Sequence, residues 1–360
     1  MQFELVNISG APREIGYELG KKFVDVARNG TKIVTNVAKK ALPWYIPRFG
    51  VRMFFRKYAK KIRESVRSRY PFFDEYAIGF GEGAGVDPLL VYEINAFENL
   101  AGRPSKKYKV LSQGCTGIVT KRYVGKTYDY PKDFEDFQFI RIWRFGSSAR
   151  TISLAHHVIP GTHAGMNSHG VGIVYTYVQS RDGHPENIPT MIVLEAILQS
   201  AKSVEDVIDE VQKVERASGA NIHVTDGKKC VIIEYAPTRI NIREGDVLFA
   251  TNHFVSDVMK DINLPEDKRY PIKALKGKRM IVSSLSRLAR IGKLAHPDIT
   301  LEEIMRAFKD HHPEPGDDSI CRHSPYWHTL SAVIFDVIGR ETYAVKGTPC
   351  SAEFEKYSFP

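Results

Sequence analysis

The sequence predicts an α+β protein built from two antiparallel sheets stacked face to face with helices outside. Three observations carry this expectation. Apolar residues recur at helical spacing before residue 115 and give way to β-branched and aromatic runs after it. The later part then runs strands, helices, strands, helices, strands. Charge changes at the same place: residues 1–114 hold 20 Lys/Arg against 11 Asp/Glu, and residues 115–360 hold 31 of each.

Taken in order, helices are expected over 13–28, 30–42, 51–69 and 88–100, separated by Pro43, Pro47, Pro71 and the turn-like "GFGEGAGVDP". "CTGIVTK" and "GKTYDYP" form a hairpin, with further strands in "FQFIRIWRF", "RTISLAHHVI" and "HGVGIVYTYV". "IPTMIVLEAILQSA" and "SVEDVIDEVQKVE" are helices, the second opened by Ser203 with Asp206 as a capping pair. "NIHVTDGKKCVIIEYA" is a hairpin turned at Asp226-Gly227, and "INIREGDVLFATNHF" adds strands. Helices over 270–294 and 300–310, the latter capped by Thr300 and Glu303, precede a last hairpin in "TLSAVIFDVIGRETYAVKG".

Composition bounds the function. With 43% apolar and 26% charged residues, the 360-residue chain has the makeup of a globular protein. Its apolar runs fall short of the roughly 20 residues of a membrane helix, and its N-terminus lacks a basic and then apolar leader. Cys115, Cys230, Cys321 and Cys350 are scattered without CxxC spacing, which suits a reducing cytoplasm and argues against a disulfide framework or zinc knuckle. The expectation is a cytoplasmic protein with no stable membrane anchoring, no nucleic-acid partner and no cofactor. Basic residues concentrate at 28–69, 13 against the single Glu64. There Val51, Phe54, Phe55, Tyr58, Ile62 and Val66 form an apolar stripe, and Arg56, Lys60, Arg63 and Arg67 a face read as solvated. The other reading of that face is a surface for nucleic acid or anionic membrane. "DHHPEPGDD", with His311 and His312, reads as a solvent loop, Cys321 and Cys350 as packing residues, and no metal site is expected.

The chemistry centres on "QGCTG", residues 113–117. Cys115 is either a buried cysteine opening a strand or the first residue of a mature enzyme. In the second case the freed α-amine, with a pKa of about 8 against about 8.5 for the thiol, exchanges protons with it at little cost. No histidine is then needed. The thiol cuts the 114–115 bond itself, attacking the Gly114 carbonyl through a five-membered ring to give a thioester that water hydrolyses. Gly114 would leave room and admit a strained backbone. Asp129 ends the neighbouring strand, where it meets the new ammonium or orients the thiolate. Asn252 in "LFATNHF" offers an amide N–H for an oxyanion hole, with His253 ordering that loop. Arg287 and Arg290 lie three apart on one helix, so one reaches inward and the other stays solvated.

From about Ile8 to the end, the chain resembles the isopenicillin N acyltransferase family of autoproteolytic N-terminal nucleophile hydrolases. "GAPREIGYELG" is similar to the family's prosegment opening and "GCT" to its self-cleavage site. "GMNSHGVGI" is similar to its glycine-bounded strand, "TNHF" to its oxyanion asparagine and "ICRH…T…GTPC" to its C-terminal signature. "SSLSRLARI" also resembles the related bile salt and penicillin V hydrolases, whose equivalent arginine lies in the active site. The resemblance implies a four-layer α-β-β-α sandwich with a helical N-terminal prosegment. It implies a zymogen that cuts itself between Gly114 and Cys115, leaving prosegment 1–114 bound to a catalytic unit, 115–360. It also implies an amidohydrolase or acyltransferase working through a Cys115 acyl-enzyme on a non-peptide linear amide or a thioester such as acyl-CoA. Cys115, Asp129, Asn252 and Arg287 are then the catalytic set. The chain departs from the pattern at Thr127, where an asparagine is common before the aromatic Tyr128. It departs again at Thr176 or Tyr177, where the bile salt hydrolases carry another asparagine. Tyr128, Thr176 and Tyr177 are thereby the candidate substrate-binding residues. The alternative is an uncleaved, non-catalytic family member that binds an anionic partner through residues 28–69.

Overall fold

An edge strand that the sequence reading missed comes first, β1 (Leu5–Gly10), followed by α1 (Pro12–Lys22), α2 (Val24–Lys40), α3 (Arg48–Arg69), α4 (Pro71–Ala84) and α5 (Leu89–Ala101). The structure is a computed structural model that describes residues 2–40, 47–101, 114–270 and 275–360. The end of the expected helix 30–42, residues 102–113 and part of the expected helix 270–294 lie outside the described residues. Beyond Cys115 come β2 (Gly117–Thr120), β3 (Tyr123–Tyr130), β4 (Gln138–Phe145), β5 (Thr151–His156), β6 (Thr162–Asn167) and β7 (Gly172–Val178). Helices α6 (Thr190–Leu198) and α7 (Val204–Lys213) lead to β8 (Gly219–Thr225), β9 (Cys230–Tyr235), β10 (Ile240–Glu244) and β11 (Val247–Ala250). The short α8 (Asp257–Lys260), α9 (Met280–Leu294) and α10 (Leu301–Phe308) precede β12 (His328–Asp336), β13 (Glu341–Lys346) and β14 (Glu355–Ser358).

Two sheets result, with orders β1-β4-β5-β6-β7-β8-β9-β10 and β11-β2-β3-β12-β13-β14. Side-chain alternation then makes four layers. On β12, Val333 and Phe335 meet Ile140, Ile142 and Ile232 of the other sheet, whereas Ala332 and Ile334 turn outward to Ile291, Ile304 and Phe308 of α9 and α10. On β4, Phe139 and Trp143 turn outward to the helices before Cys115 and to α6. The expected α-β-β-α sandwich is therefore present. The three expected hairpins pair as β2/β3, β8/β9 and β12/β13. Both capping pairs form, through Ser203 with Asp206 and Thr300 with Glu303.

The described residues before Cys115 are bound into this frame rather than appended to it. β1 pairs with β4, in parallel, so the N-terminal region also supplies a sheet edge. Tyr76 packs edge-on against Trp143 and Phe73 against Phe145, and Arg69 and Tyr70 both reach Glu210 on α7. The stripe on α3 is largely as expected: Val51, Phe55, Ile62 and Val66 are buried, and Phe54 and Tyr58 are partly buried against the same core. The basic face departs from the sequence reading. Arg56 donates to Glu93 at 2.9 Å and pairs with Asp87, and Arg63 donates to Asp74 at 2.7 Å. Lys60 and Arg67 remain exposed.

Of the stretch read as a turn, residues 79–84 belong to helix α4, and the chain turns only from Gly85, which is left-handed. An alanine methyl at Gly79 would strike the Arg13 carbonyl and one at Gly83 the Tyr17 carbonyl; from the other side Gly16 and Gly20 meet the carbonyls of Tyr76 and Phe80. The glycines thus let α1 and α4 touch backbone to backbone, and local sequence does not separate this use from a turn. Gly79→Ala is expected to cost about 1–3 kcal/mol through overpacking, read as a lower urea midpoint. An unchanged midpoint would mean that the two helices part freely.

Candidate active site

Gly114 and Asp129 face each other across an antiparallel bridge at the mouth of the β2/β3 hairpin. The Gly114 carbonyl accepts the Asp129 N–H at 3.0 Å, and the Gly114 N–H returns to the Asp129 carbonyl at 3.3 Å. Cys115 is fully buried. Its N–H donates to Asn252 Oδ1 at 3.1 Å, and its carbonyl accepts from Arg287 Nη1 at 2.6 Å. Thr116, next along, gives its N–H to Thr127 Oγ1 at 3.0 Å. At the position where the family commonly has asparagine, Thr127 therefore braces the strand behind the cysteine.

Asn252 stands just past β11, on a loop held from three sides. The preceding carbonyl, of Thr251, accepts from Thr176 Oγ1 at 2.6 Å and Asn221 Nδ2 at 3.1 Å. Ser284 Oγ on α9 accepts the Asn252 N–H at 2.8 Å and lies 2.7 Å from His253 Nδ1, so His253 does help order the loop. One turn farther along α9, Arg287 is fully buried and donates to Asn252 Oδ1 at 2.7 Å and to Thr116 Oγ1 at 3.2 Å. A guanidinium only donates, so it draws the oxygen of the Asn252 amide toward itself and Cys115. The amide nitrogen then donates to the Tyr177 carbonyl at 2.8 Å. Asn252 thus presents an acceptor to the Cys115 nitrogen, where the sequence reading expected a donor for an oxyanion. Arg290, the outward partner, pairs with Asp310 at 2.6 Å instead of standing free in solvent.

Asp129 is buried beside the Gly114–Cys115 bond. Its Oδ1 accepts from Thr329 at 2.8 Å, and Oδ2, with no hydrogen-bond partner among the described residues, lies 3.7 Å from Arg322 Nη1. Burial pushes its carboxyl above the usual range, with Arg322 and then Arg287 opposing that shift. Burial lowers Arg287, helped by the repulsion of Arg322. Arg322 is raised: burial alone would lower it, but Asp317 and Asp129 outweigh that. Two buried guanidiniums and two buried carboxyls therefore surround the bond.

Arg322 was missed as a site residue because it appeared only inside the "ICRH" signature. It also explains Gly114: a methyl there would overlap Arg322 Nη1. Gly114 is not among the positive-φ glycines, so the expected strained backbone is absent and the requirement is for space. Thr329 and Ser284 were likewise present only as members of quoted motifs, "ICRH…T…GTPC" and "SSLSRLARI", and were not singled out.

The candidate substrate residues divide. Tyr128 bonds His156 Nε2 at 2.9 Å and lines a mostly apolar cavity with Phe97, Tyr130, Phe134, Ile159 and Met191. Tyr128 directly precedes Asp129 on β3. Thr176 holds the Asn252 loop, and Tyr177 offers Asn252 its carbonyl while its hydroxyl donates to the Glu98 carbonyl at 3.2 Å. These contacts position Asn252.

Residues 118–350 match the family described as acyl-coenzyme A:6-aminopenicillanic acid acyl-transferase, a match that begins just after Cys115. No curated protein matches significantly in sequence. Among solved structures, the chain is similar to a variant of conjugated bile acid hydrolase from Clostridium perfringens, at 14% identity over 68% of this chain and 97% of that one, with a TM-score of 0.41. It is similar to the Caenorhabditis elegans ortholog of N-acylethanolamine-hydrolyzing acid amidase, at 12% identity over 62% and 93%, TM-score 0.44. Penicillin V acylase from Agrobacterium tumefaciens gives 11% identity over 64% and 82%, TM-score 0.38. With well over half its length matched, the chain belongs to the acyl-coenzyme A:6-aminopenicillanic acid acyl-transferase family.

Proposed function

We propose that the chain is a self-processing cysteine enzyme that cuts its own Gly114–Cys115 bond and then moves an acyl group through Cys115. The observation that carries this reading is the set of partners on that bond. The Gly114 carbonyl already accepts a backbone N–H, from Asp129 at 3.0 Å, while the departing nitrogen rests on Asn252 Oδ1 at 3.1 Å. When Cys115 Sγ adds to the Gly114 carbonyl carbon, charge grows on the oxygen facing the Asp129 N–H. The C–N bond then breaks, and the nitrogen leaves as an amine beside Asn252. Water hydrolyses the resulting thioester to a Gly114 carboxylate and a free thiol.

The freed α-amine then serves as the base for the Cys115 thiol. The thiolate attacks an acyl carbonyl, and the second Nδ2 hydrogen of Asn252, with a backbone N–H, holds the oxyanion. The α-ammonium protonates the leaving group, and water or an acceptor amine releases the acyl group. Arg287 keeps Asn252 and the Cys115 carbonyl in register. The mostly apolar cavity beside Tyr128 is the acyl side on this reading. Its volume, about 20 Å3, suits a single water, so on this reading acyl binding follows the cut. The rival reading, an anionic partner on residues 28–69, has Arg56, Arg63 and Arg69 already engaged by carboxylates of the fold.

Gly114→Ala tests the processing geometry. The added methyl must displace Arg322 from its place behind the bond, so processing should slow by about tenfold or more, in keeping with the cost of a small misplacement at a reacting centre. Intact mass against time after synthesis checks this. Cleavage at the wild-type rate would separate Arg322 from the reaction.

A further inference from the structure

The surface behind Arg322 gathers four side chains that the acyl-transfer chemistry does not use. His311 follows α10, Cys321 and His323 flank Arg322 in the following loop, and Cys350 lies in the short turn Pro349–Ser351 after β13. Their ligand atoms all fall within 4.8 Å of one another. Cys321 and Cys350 are both free thiols. His323 Nε2 lies 3.1 Å from His311 Nε2, 3.4 Å from Cys350 Sγ and 3.7 Å from Cys321 Sγ. A tetrahedral zinc ion, bonded at about 2.05 Å to nitrogen and about 2.3 Å to sulfur, sets N···N edges near ~3.3 Å and N···S edges near ~3.6 Å. All three separations agree within about 0.3 Å.

Hydrogen bonding alone does not account for this convergence. One imidazole nitrogen offers either one N–H or one lone pair, yet three heteroatoms crowd His323 Nε2 together. A cation at their centre satisfies all four groups at once. We propose that His311, Cys321, His323 and Cys350 form a Cys2His2 site for zinc or a similar thiophilic divalent cation. Binding displaces the two thiol protons to solvent. Four protein ligands close the tetrahedron, so the role is structural rather than catalytic. The ion joins the end of α10, the loop and the turn after β13, segments that the sequence reading took as solvent loop and packing. Because Arg322 sits between two of the ligands, the ion also fixes the guanidinium that packs on Gly114 and faces Asp129.

The test uses the purified full-length chain. Metal analysis is expected to give one zinc per chain. After chelation, added Co2+ should produce the visible bands of a tetrahedral centre and a near-ultraviolet sulfur-to-cobalt band. Cys350 is exposed, so Cys350→Ser should fold, halve the sulfur-to-cobalt band and weaken zinc binding at least about tenfold. His323→Ala should alter the visible bands while the melting profile stays cooperative. Substoichiometric zinc together with no cobalt bands would overturn the proposal. So would cobalt spectra indifferent to both substitutions, or a Cys321–Cys350 disulfide in the non-reduced peptide map. These readouts need no acyl turnover, so they stand or fall separately from the proposed reaction.

Discussion

Cys115→Ala is expected to remain a single chain of 40.7 kDa and to turn over no acyl substrate. The wild-type protein should resolve into fragments 1–114 and 115–360, the larger beginning Cys-Thr-Gly-Ile-Val. The substitution removes the sulfur that would close the five-membered ring with the Gly114 carbonyl carbon, so both the cut and the later acyl-enzyme are lost. Removing a covalent nucleophile costs on the order of 10⁶ in turnover. The fold should survive, because alanine fills a buried site with only a sulfur missing. Intact mass and N-terminal sequencing read the cut, and a panel of acyl amides and acyl-CoA thioesters reads the turnover. Fragments of the same masses from Cys115→Ala would assign the cut to another protease and end the self-processing reading. Cys115→Ser is the graded case, a hydroxyl that cuts slowly and turns over poorly.

Asn252→Ala should lower kcat by about 10²–10³, the usual effect of losing one oxyanion donor. Stability should fall far less. The change strands the Arg287 Nη2 and Cys115 N–H donors, both of which donate to Asn252 Oδ1, at a cost of about 1–3 kcal/mol. Asn252→Asp separates the two ends of the amide. It keeps an oxygen for Cys115 and Arg287 but loses the nitrogen that donates to Tyr177. Processing should therefore persist in Asn252→Asp while turnover falls as in Asn252→Ala. Parallel losses of activity and melting temperature across both variants would make Asn252 a turn residue and nothing more.

Much of the architecture was legible before any coordinates. Alternating runs such as "TLSAVIFDVIG" encode a strand with one face toward each neighbouring layer, and capping pairs such as Ser203 with Asp206 encode helix starts, because both are local rules of spacing. Cys115, Asn252 and Arg287 were picked out as residue types that suit the chemistry, and the fold brings the three into contact. Other features depend on what lies across space. The glycines of α4 became a helix only because α1 comes against them, and β1 became a strand only because the edge of β4 was open. The same holds for the end of the Asn252 amide that faces Cys115, which Arg287 dictates from 35 residues away. Arg322, far along the chain, makes Gly114 a matter of space rather than backbone strain. The cluster of His311, Cys321, His323 and Cys350 is likewise invisible as a spacing motif, since separate segments bring its members together. Sequence by itself determined the layers, because periodicity is written locally, and its motif order pointed to the family. Tertiary structure alone decided which groups touch the Gly114–Cys115 bond, because those contacts join residues that only the packing of two sheets and α9 makes neighbours.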